Sequence, residues 1–226
     1  MLEKLKRLFA PKAPEQPGTI PKKFISNFLP PKSVIVEAGA HIGVDTVEMA
    51  TLWPDSMVHA FEPIPSLHSQ LESNTRALPN VIRHRFALGN TTGRQLIHVS
   101  KGISDASSSL LVPKEHLRVH PGVEFDETME VDTVTLDDWA SKTGIDHVDF
   151  MWLDLQGFEL QALQSAMVIL RTVTAIHCEV SLIKTYEGCA LYPELRVWLA
   201  ERGFRVEREE TPWVDMGNVL FVRNRN

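Results

Sequence analysis

Four acidic residues each close a short apolar run: Glu37 after Val34-Ile-Val36, Glu62 after Met57–Phe61, Asp154 after Val148-Asp-Phe-Met-Trp-Leu153, and Glu179 at the end of the run from Val173. A carboxylate at the end of a buried strand can hold a cation, accept from ribose hydroxyls, or take a proton. Glu37 opens the segment Glu37-Ala-Gly-Ala-His-Ile-Gly43, and a helical pattern through Val44, Val47, Met49 and Ala50 follows. Glycines at such a turn let backbone approach a ligand closely, and the first helical turn presents free N–H groups. The spacing is G-x-x-x-G, not the G-x-G-x-x-G that seats a dinucleotide pyrophosphate. A fixed negative charge at Glu37 repels a diphosphate and suits an ammonium or sulfonium, such as that of S-adenosylmethionine (SAM). Glu62 stands where a ribose-binding carboxylate belongs in a nucleotide-binding α/β unit. Taken structurally alone, the same residues make a strand–turn–helix with two exposed acids.

The elements that position these acids repeat along the chain. Strands are expected over Val34–Glu37, Met57–Phe61, Val81–Phe86, Val148–Leu153 and Val173–Glu179. Helices are expected to about Trp53, from an N-cap at Ser66 through Leu67 and Leu71, from Leu136, through Leu160, Leu163, Met167 and Leu170, and over Tyr192–Glu201 with Gly203 as C-cap. Strands alternating with helices imply an α/β fold with a parallel sheet and right-handed crossovers. Phe204–Glu209 and Asn218–Arg223 are expected to pair as a C-terminal antiparallel hairpin. Ala87-Leu-Gly89 ends the third strand at the same sheet edge as Glu37 and Glu62, so backbone near Phe86 and Ala87 is a candidate wall for an adenine ring.

The rhythm breaks twice. Before Val34, Leu2, Leu5, Leu8 and Phe9 lie at helical spacing among lysines, a short amphipathic helix that docks on its own domain, and residues 11–17 read as a linker. Residues 1–31 are therefore set apart from a single domain over 32–226. In the middle, Arg94–Val99 and Glu130–Val134 read as extra strands, and residues 101–128 between them as a long irregular lid that binds the acceptor. His116 and His120 have metal-like spacing there, but Pro121 and Gly122 follow at once and no metal-ligating role is assigned.

The 226 residues, 43% hydrophobic and 23% charged, suit one domain with a sizeable core. A net charge of −6 without a stripe of Lys and Arg argues against nucleic acid as partner. Cys178 and Cys189 form no CxxC pair, no apolar stretch approaches the roughly 20 residues that span a bilayer, and no signal peptide is recognisable. Cytoplasmic residence is the expectation.

In an open α/β sheet the crevice lies beyond the carboxyl ends of the strands, at the switch point. Glu37, Asp154 and Glu179 then share one rim, and three converging carboxylates repel unless a cation intervenes. Methyl transfer from SAM needs the acceptor oxygen, methyl carbon and sulfur nearly collinear, so positioning supplies much of the catalysis. Asp154, with Glu179 beside it, is the candidate to orient and deprotonate an acceptor hydroxyl. The alternative is that the two acids bind a divalent metal that acidifies the hydroxyl. Asp154 as N-cap of the following helix is compatible with either, and Glu159 reads as surface or supporting.

With these residues placed, the chain resembles the FkbM-type SAM-dependent methyltransferases. The resemblance is carried in order by Val36-Glu-Ala-Gly-Ala-His-Ile-Gly43, Phe61-Glu-Pro-Ile-Pro65, Ala87-Leu-Gly89, Ser107-Ser-Ser-Leu110, Thr135-Leu-Asp-Asp-Trp139, Val148–Glu159 and Glu179. It implies a class I, Rossmann-like methyltransferase fold: a mostly parallel seven-stranded sheet, helices on both faces, and the C-terminal antiparallel hairpin. It also implies O-methylation of a carbohydrate or secondary-metabolite hydroxyl. By similarity Glu37, Gly39, Ala40 and Gly43 hold the methionine end of SAM, Glu62 holds the ribose, and Asp154 matches the acid of a D-x-[EQ]-G segment; His41, within the same turn, is counted with the cofactor-binding residues. Family members commonly carry lysine at the position of Trp152 and asparagine at that of His41; an indole at 152 could stack on a sugar face. Two other readings stay open: a nicotinamide-dependent enzyme on the same fold, and a non-catalytic SAM-binding partner of a glycan-assembly complex.

Overall fold

The computed structural model describes residues 17–224. Its β-branched and aromatic runs form a seven-stranded sheet in the order β3-β2-β1-β7-β8-β10-β9. The parallel strands are β1 (Val34–Ala38), β2 (Met57–Phe61), β3 (Val81–His84), β7 (Phe150–Leu153) and β8 (Ala175–Ser181), while β10 (Met216–Arg223) runs antiparallel between β8 and β9 (Phe204–Glu210). Strands buried on both faces read as continuous apolar runs. In β1, accordingly, Val36 and Ala38 join one core and Ile35 the other. The chain leaves β1 to one side for β2 and β3 and returns on its other side with β7, where Glu37 pairs with Trp152 and Ala38 with Leu153. That reversal opens the crevice.

Helices cover the sheet: α1 (Lys22–Ile25), α2 (Val44–Leu52), α3 (Pro65–Thr75), α4 (His116–Val119), α5 (Leu136–Thr143), α6 (Glu159–Gln164) and α7 (Tyr192–Ala200). Among the described residues no helix is long and apolar enough to cross a membrane.

Several local expectations are corrected. Strand β3 stops at His84, and Phe86 is exposed. Helix α3 starts at Pro65, whose ring presets the first helical φ, so Ser66 lies inside the helix and not at its cap. Met167 is exposed because α6 ends at Gln164 and the helical period does not continue.

Residues 101–128 are not one irregular lid. β5 (Gly93–Gly102) and β6 (Val123–Val134) form an antiparallel ribbon that reaches into both ends of that stretch, and β4 (Ala87–Leu88) pairs alongside β6. Residues 1–16, with the expected amphipathic helix, lie outside the described residues. From Ile20 onward the stretch set apart as residues 1–31 packs into the domain, because Ile20 and Ile25 are wholly buried in one core cluster with Met49 and Ala50 of α2.

Candidate active site at the switch point

The turn after β1 is built around close backbone approach. Gly39 has φ +85°, and a Cβ there would stand 1.9 Å from the carbonyl oxygen of Asp154. Only glycine combines that conformation with that contact. Gly39 and Ala40 both donate their N–H to the Phe61 carbonyl, tying the turn to β2 as well. His41 follows at φ +50°, and Gly43 at φ +87° precedes α2. The ends of β1, β2 and β7 are thereby locked together.

Each acid meets a different partner. Glu37 is buried and accepts from Thr46 Oγ1 at 2.5 Å, and burial pushes its carboxyl up to about 8. Glu62 is also buried; its oxygens accept from the His41 N–H at 3.0 Å and the Ile64 N–H at 2.8 Å, and burial holds it at about 7 against those bonds. Glu159 accepts from the N–H groups of Leu155 and Gly157, and burial raises it to about 7. Asp154 and Glu179 share one donor, the Gln156 amide, at 2.8 and 2.9 Å. Burial raises Asp154 to about 6; burial and then the charge of Asp154 raise Glu179 further.

A cleft of about 940 Å³, counting the part open to solvent, runs along these strand ends. One end is apolar, with Ile64, Leu67, Ala87, Leu88, Ile97 and Leu110; the other carries His41, Asp45, Asp154 and Gln156, with Glu62 also on the wall. Of the residues singled out from sequence, Gly39, Ala40, His41, Glu62, Ala87 and Asp154 line this cleft together. Glu37, Gly43, Phe86 and Glu179 do not line it. Glu37 turns beneath α2 to Thr46, Gly43 faces Leu71 of α3, Phe86 has left the sheet, and Glu179 reaches the cleft through Gln156.

Residues 105–110 close one side. Asp105, Ala106, Ser108, Ser109 and Leu110 line the cleft, and Asp105 lies 3.0 Å from His41 Nε2. The rest of the expected lid forms the ribbon and α4. Sequence reasoning missed Gln156, although it lies two residues past Asp154 at φ +51°, and it missed Thr46 and Asp105. Trp152 is not available to a sugar: it is buried and stacks on His177 (ring centroids 3.6 Å apart, planes at 7°), with Lys22 Nζ 4.4 Å from its centroid. The metal alternative finds no donor set, since among the described residues no group of three His, Cys, Asp or Glu is placed to hold an ion. What separates Asp154 from Glu179 is an amide.

A family model described as the methyltransferase FkbM domain matches residues 37–206. The 2-O-methyltransferase NoeI of Sinorhizobium fredii is 31% identical over 172 residues, covering 74% of this chain and 71% of that protein. The chain belongs to the FkbM methyltransferase family. It is a SAM-dependent methyltransferase, and the nicotinamide reading and the non-catalytic one fall away. A second relative of this FkbM methyltransferase, methyltransferase sdnD of Sordaria araneosa, is 24% identical over 88% of this chain and 84% of that one.

Solved structures bear out the class I fold. An rRNA methylase from Streptococcus thermophilus superposes with a TM-score of 0.54 at 11% identity, over 94% of this chain and 99% of that one. The N-terminal domain of EvdMO1, solved with S-adenosylhomocysteine and D-fucose, gives 0.52 at 13%, over 90% and 81%.

Proposed function

We propose that the protein transfers the methyl group of SAM to a hydroxyl oxygen of a carbohydrate or secondary metabolite, with Asp154 as proton acceptor. One observation carries the reading: Asp154, raised to about 6, stands in the cleft wall beside Glu179 with the Gln156 amide between them. A carboxyl in that range is largely ionised at neutral pH and still basic enough to take a hydroxyl proton as the C–O bond forms. The name of the NoeI relative supports transfer to oxygen. The net charge of −6 favours a small or glycan acceptor over nucleic acid. The cytoplasm is the compartment this reading expects.

The residues present fit SAM. The apolar end, with Ala87 and Leu88, suits an adenine face. Glu62 spends one lone pair of each oxygen on backbone N–H and keeps others for ribose hydroxyls. Gly39, Ala40 and His41 with Asp45 would hold the amino-acid end, and Glu37 and Gly43 would shape that turn from behind. Bound there, SAM supplies an electrophilic methyl on a cationic sulfur. Asp154 orients the acceptor hydroxyl and takes its proton, the Gln156 amide supports the charge on that acid while Glu179 anchors the amide's other proton, and residues 105–110 form one wall of the cleft.

The test is Asp154→Asn. Calorimetry with S-adenosylhomocysteine should show affinity nearly unchanged, while transfer of labelled methyl from SAM to a panel of monosaccharide glycosides and polyols falls at least a hundredfold, the low end of a general base's contribution being about 10². Turnover that survives the substitution removes Asp154 as the base.

A further inference from the structure

Gln156 joins two parts of the site that the proposed chemistry treats separately. Both protons of its Nε2 are committed, to Asp154 Oδ1 and to Glu179 Oε1. Its Oε1 lies 3.0 Å from the Tyr186 hydroxyl, which is also 2.7 Å from the Ser107 carbonyl. The backbone carbonyl of Gln156 accepts from Ser109 Oγ at 2.8 Å. A non-glycine residue at φ +51° stays there only because its surroundings hold it.

Tyr186 belongs to the loop after β8, and that loop is stitched to the segment following the 105–110 wall. Lys114 and His116 donate their N–H to the Thr185 carbonyl, Glu187 donates to Val112, and Pro113 bridges to Tyr186. These bonds pin the two segments to each other, and the buried tyrosine hydroxyl connects them to the amide side chain.

We infer that Gln156 is a positioning residue holding Asp154 and Glu179 at a fixed spacing through both amide protons, and that Tyr186 makes this hold depend on whether the 107–116 segment is seated. The single Tyr186 proton is shared between the Ser107 carbonyl and Oε1, and the share that reaches Oε1 polarises the amide and strengthens its two N–H donors, while the rest ties residue 107 to the same hydroxyl. It also fixes which way the amide faces, since the flipped amide would turn Oε1 against two acids. The pair is otherwise faced by Glu159 of α6, Asp45 of α2, His41 of the first turn, Asp215 between β9 and β10, and Cys178 beside Glu179. Most of these add negative charge or none, so the amide matters to both acids. The functional meaning rests on the reading of Asp154 as proton acceptor; the physical coupling does not.

The experiment is an infrared titration of the buried carboxyl bands, assigned by their loss in Asp154→Asn and Glu179→Gln, in the full chain. Gln156→Met, which keeps the length and removes the donors, should raise the midpoint by about one pH unit or more. Tyr186→Phe should raise it by less, and should add nothing in the Gln156→Met background, because it acts through that amide. Hydrogen exchange across residues 107–116 should quicken in both single variants. An unmoved midpoint in Gln156→Met, or the same Tyr186→Phe shift in both backgrounds, overturns the inference. Should Gln156→Met not fold, Tyr186→Phe alone decides: faster exchange with an unmoved midpoint makes Tyr186 merely structural. None of these readouts uses methyl transfer, so failure to find an acceptor and failure of the coupling are separate results.

Discussion

Gly39→Ala is the substitution whose cost the structure specifies most closely. At φ +85° an L-residue adopts a left-handed conformation, which costs about 1–2 kcal/mol. The added Cβ would also sit 1.9 Å from the Asp154 carbonyl oxygen and 3.0 Å from its carbon. Those atoms are backbone and cannot rotate aside, so overpacking adds about 1–3 kcal/mol. The expected loss is about 2–5 kcal/mol, read by urea unfolding, with a melting temperature lower by about 2–4 °C per kcal/mol for a domain of this size. Gly144→Ala is the control: φ is +73° and nothing lies within 4 Å of its Cβ, so it carries only the conformational cost. The difference between the variants isolates the clash. Because relief requires Asp154 to shift, Gly39→Ala should also weaken S-adenosylhomocysteine binding in calorimetry, and Gly144→Ala should not. Equal stability losses in the two variants, or unchanged ligand affinity in Gly39→Ala, would refute the claim that this contact fixes Asp154 against the first turn.

Glu62→Ala removes the acceptor of two backbone N–H groups and, on the proposed reading, of the ribose, and should weaken S-adenosylhomocysteine about 10–100-fold by calorimetry; a change below about threefold would take Glu62 out of the proposed cofactor site. Trp152→Lys should destabilise by about 3–5 kcal/mol in urea, since it loses the His177 stack and sets a second ammonium beside Lys22, and Lys22→Met should recover part of the loss; a lysine tolerated at no cost would contradict this packing. The ligand-free protein should lose stability as pH rises from about 6.5 to about 8. Glu37 at about 8, with Glu62 and Glu159 at about 7, binds protons more tightly folded than unfolded, so its contribution is complete below the usual carboxylate range near 4.3 and lost as pH passes these values. His59, His84 and His116, lowered by desolvation to about 4, and His177, lowered to about 3, act oppositely, but only below about 6.5, while His147, raised by Asp146, acts with the acids. Melting temperature against pH should show the fall, and Glu37→Gln should flatten it; an unaltered slope would mean Glu37 is ionised in the fold.

What could be read from sequence was local. Val34-Ile-Val36 declares a strand buried on both faces, Gly39 and Gly43 declare a turn, and the hairpin of β9 and β10 shows in its own alternation. The β5–β6 ribbon hid because its pairing is distant and its outer face is polar: Gly93 meets Thr133, and Glu124, Asp126, Glu130 and Asp132 all point to solvent. Nor does anything near Trp152 announce that Lys22, from a segment read as preceding the domain, would lie over its ring. Ser66 has the composition of a cap, but Pro65 starts the helix one residue sooner.

The acids show the same division within one site. Their positions follow from the strands they end, and so does their mutual repulsion. The sequence reading met that repulsion with a cation, because a cation is the remedy that charge counting offers. The fold answers with neutral donors instead: the Thr46 hydroxyl for Glu37, backbone N–H groups for Glu62 and Glu159, and one amide for Asp154 and Glu179 together. Neutral donors stabilise an anion without fixing its charge; burial lifts Glu37, Glu62, Asp154 and Glu159 to where a proton is exchanged near neutrality, and raises Glu179 well above its ordinary range. On the proposed reading, a cationic methyl donor in this cleft faces acids that these neutral donors hold, and its charge favours their ionised forms.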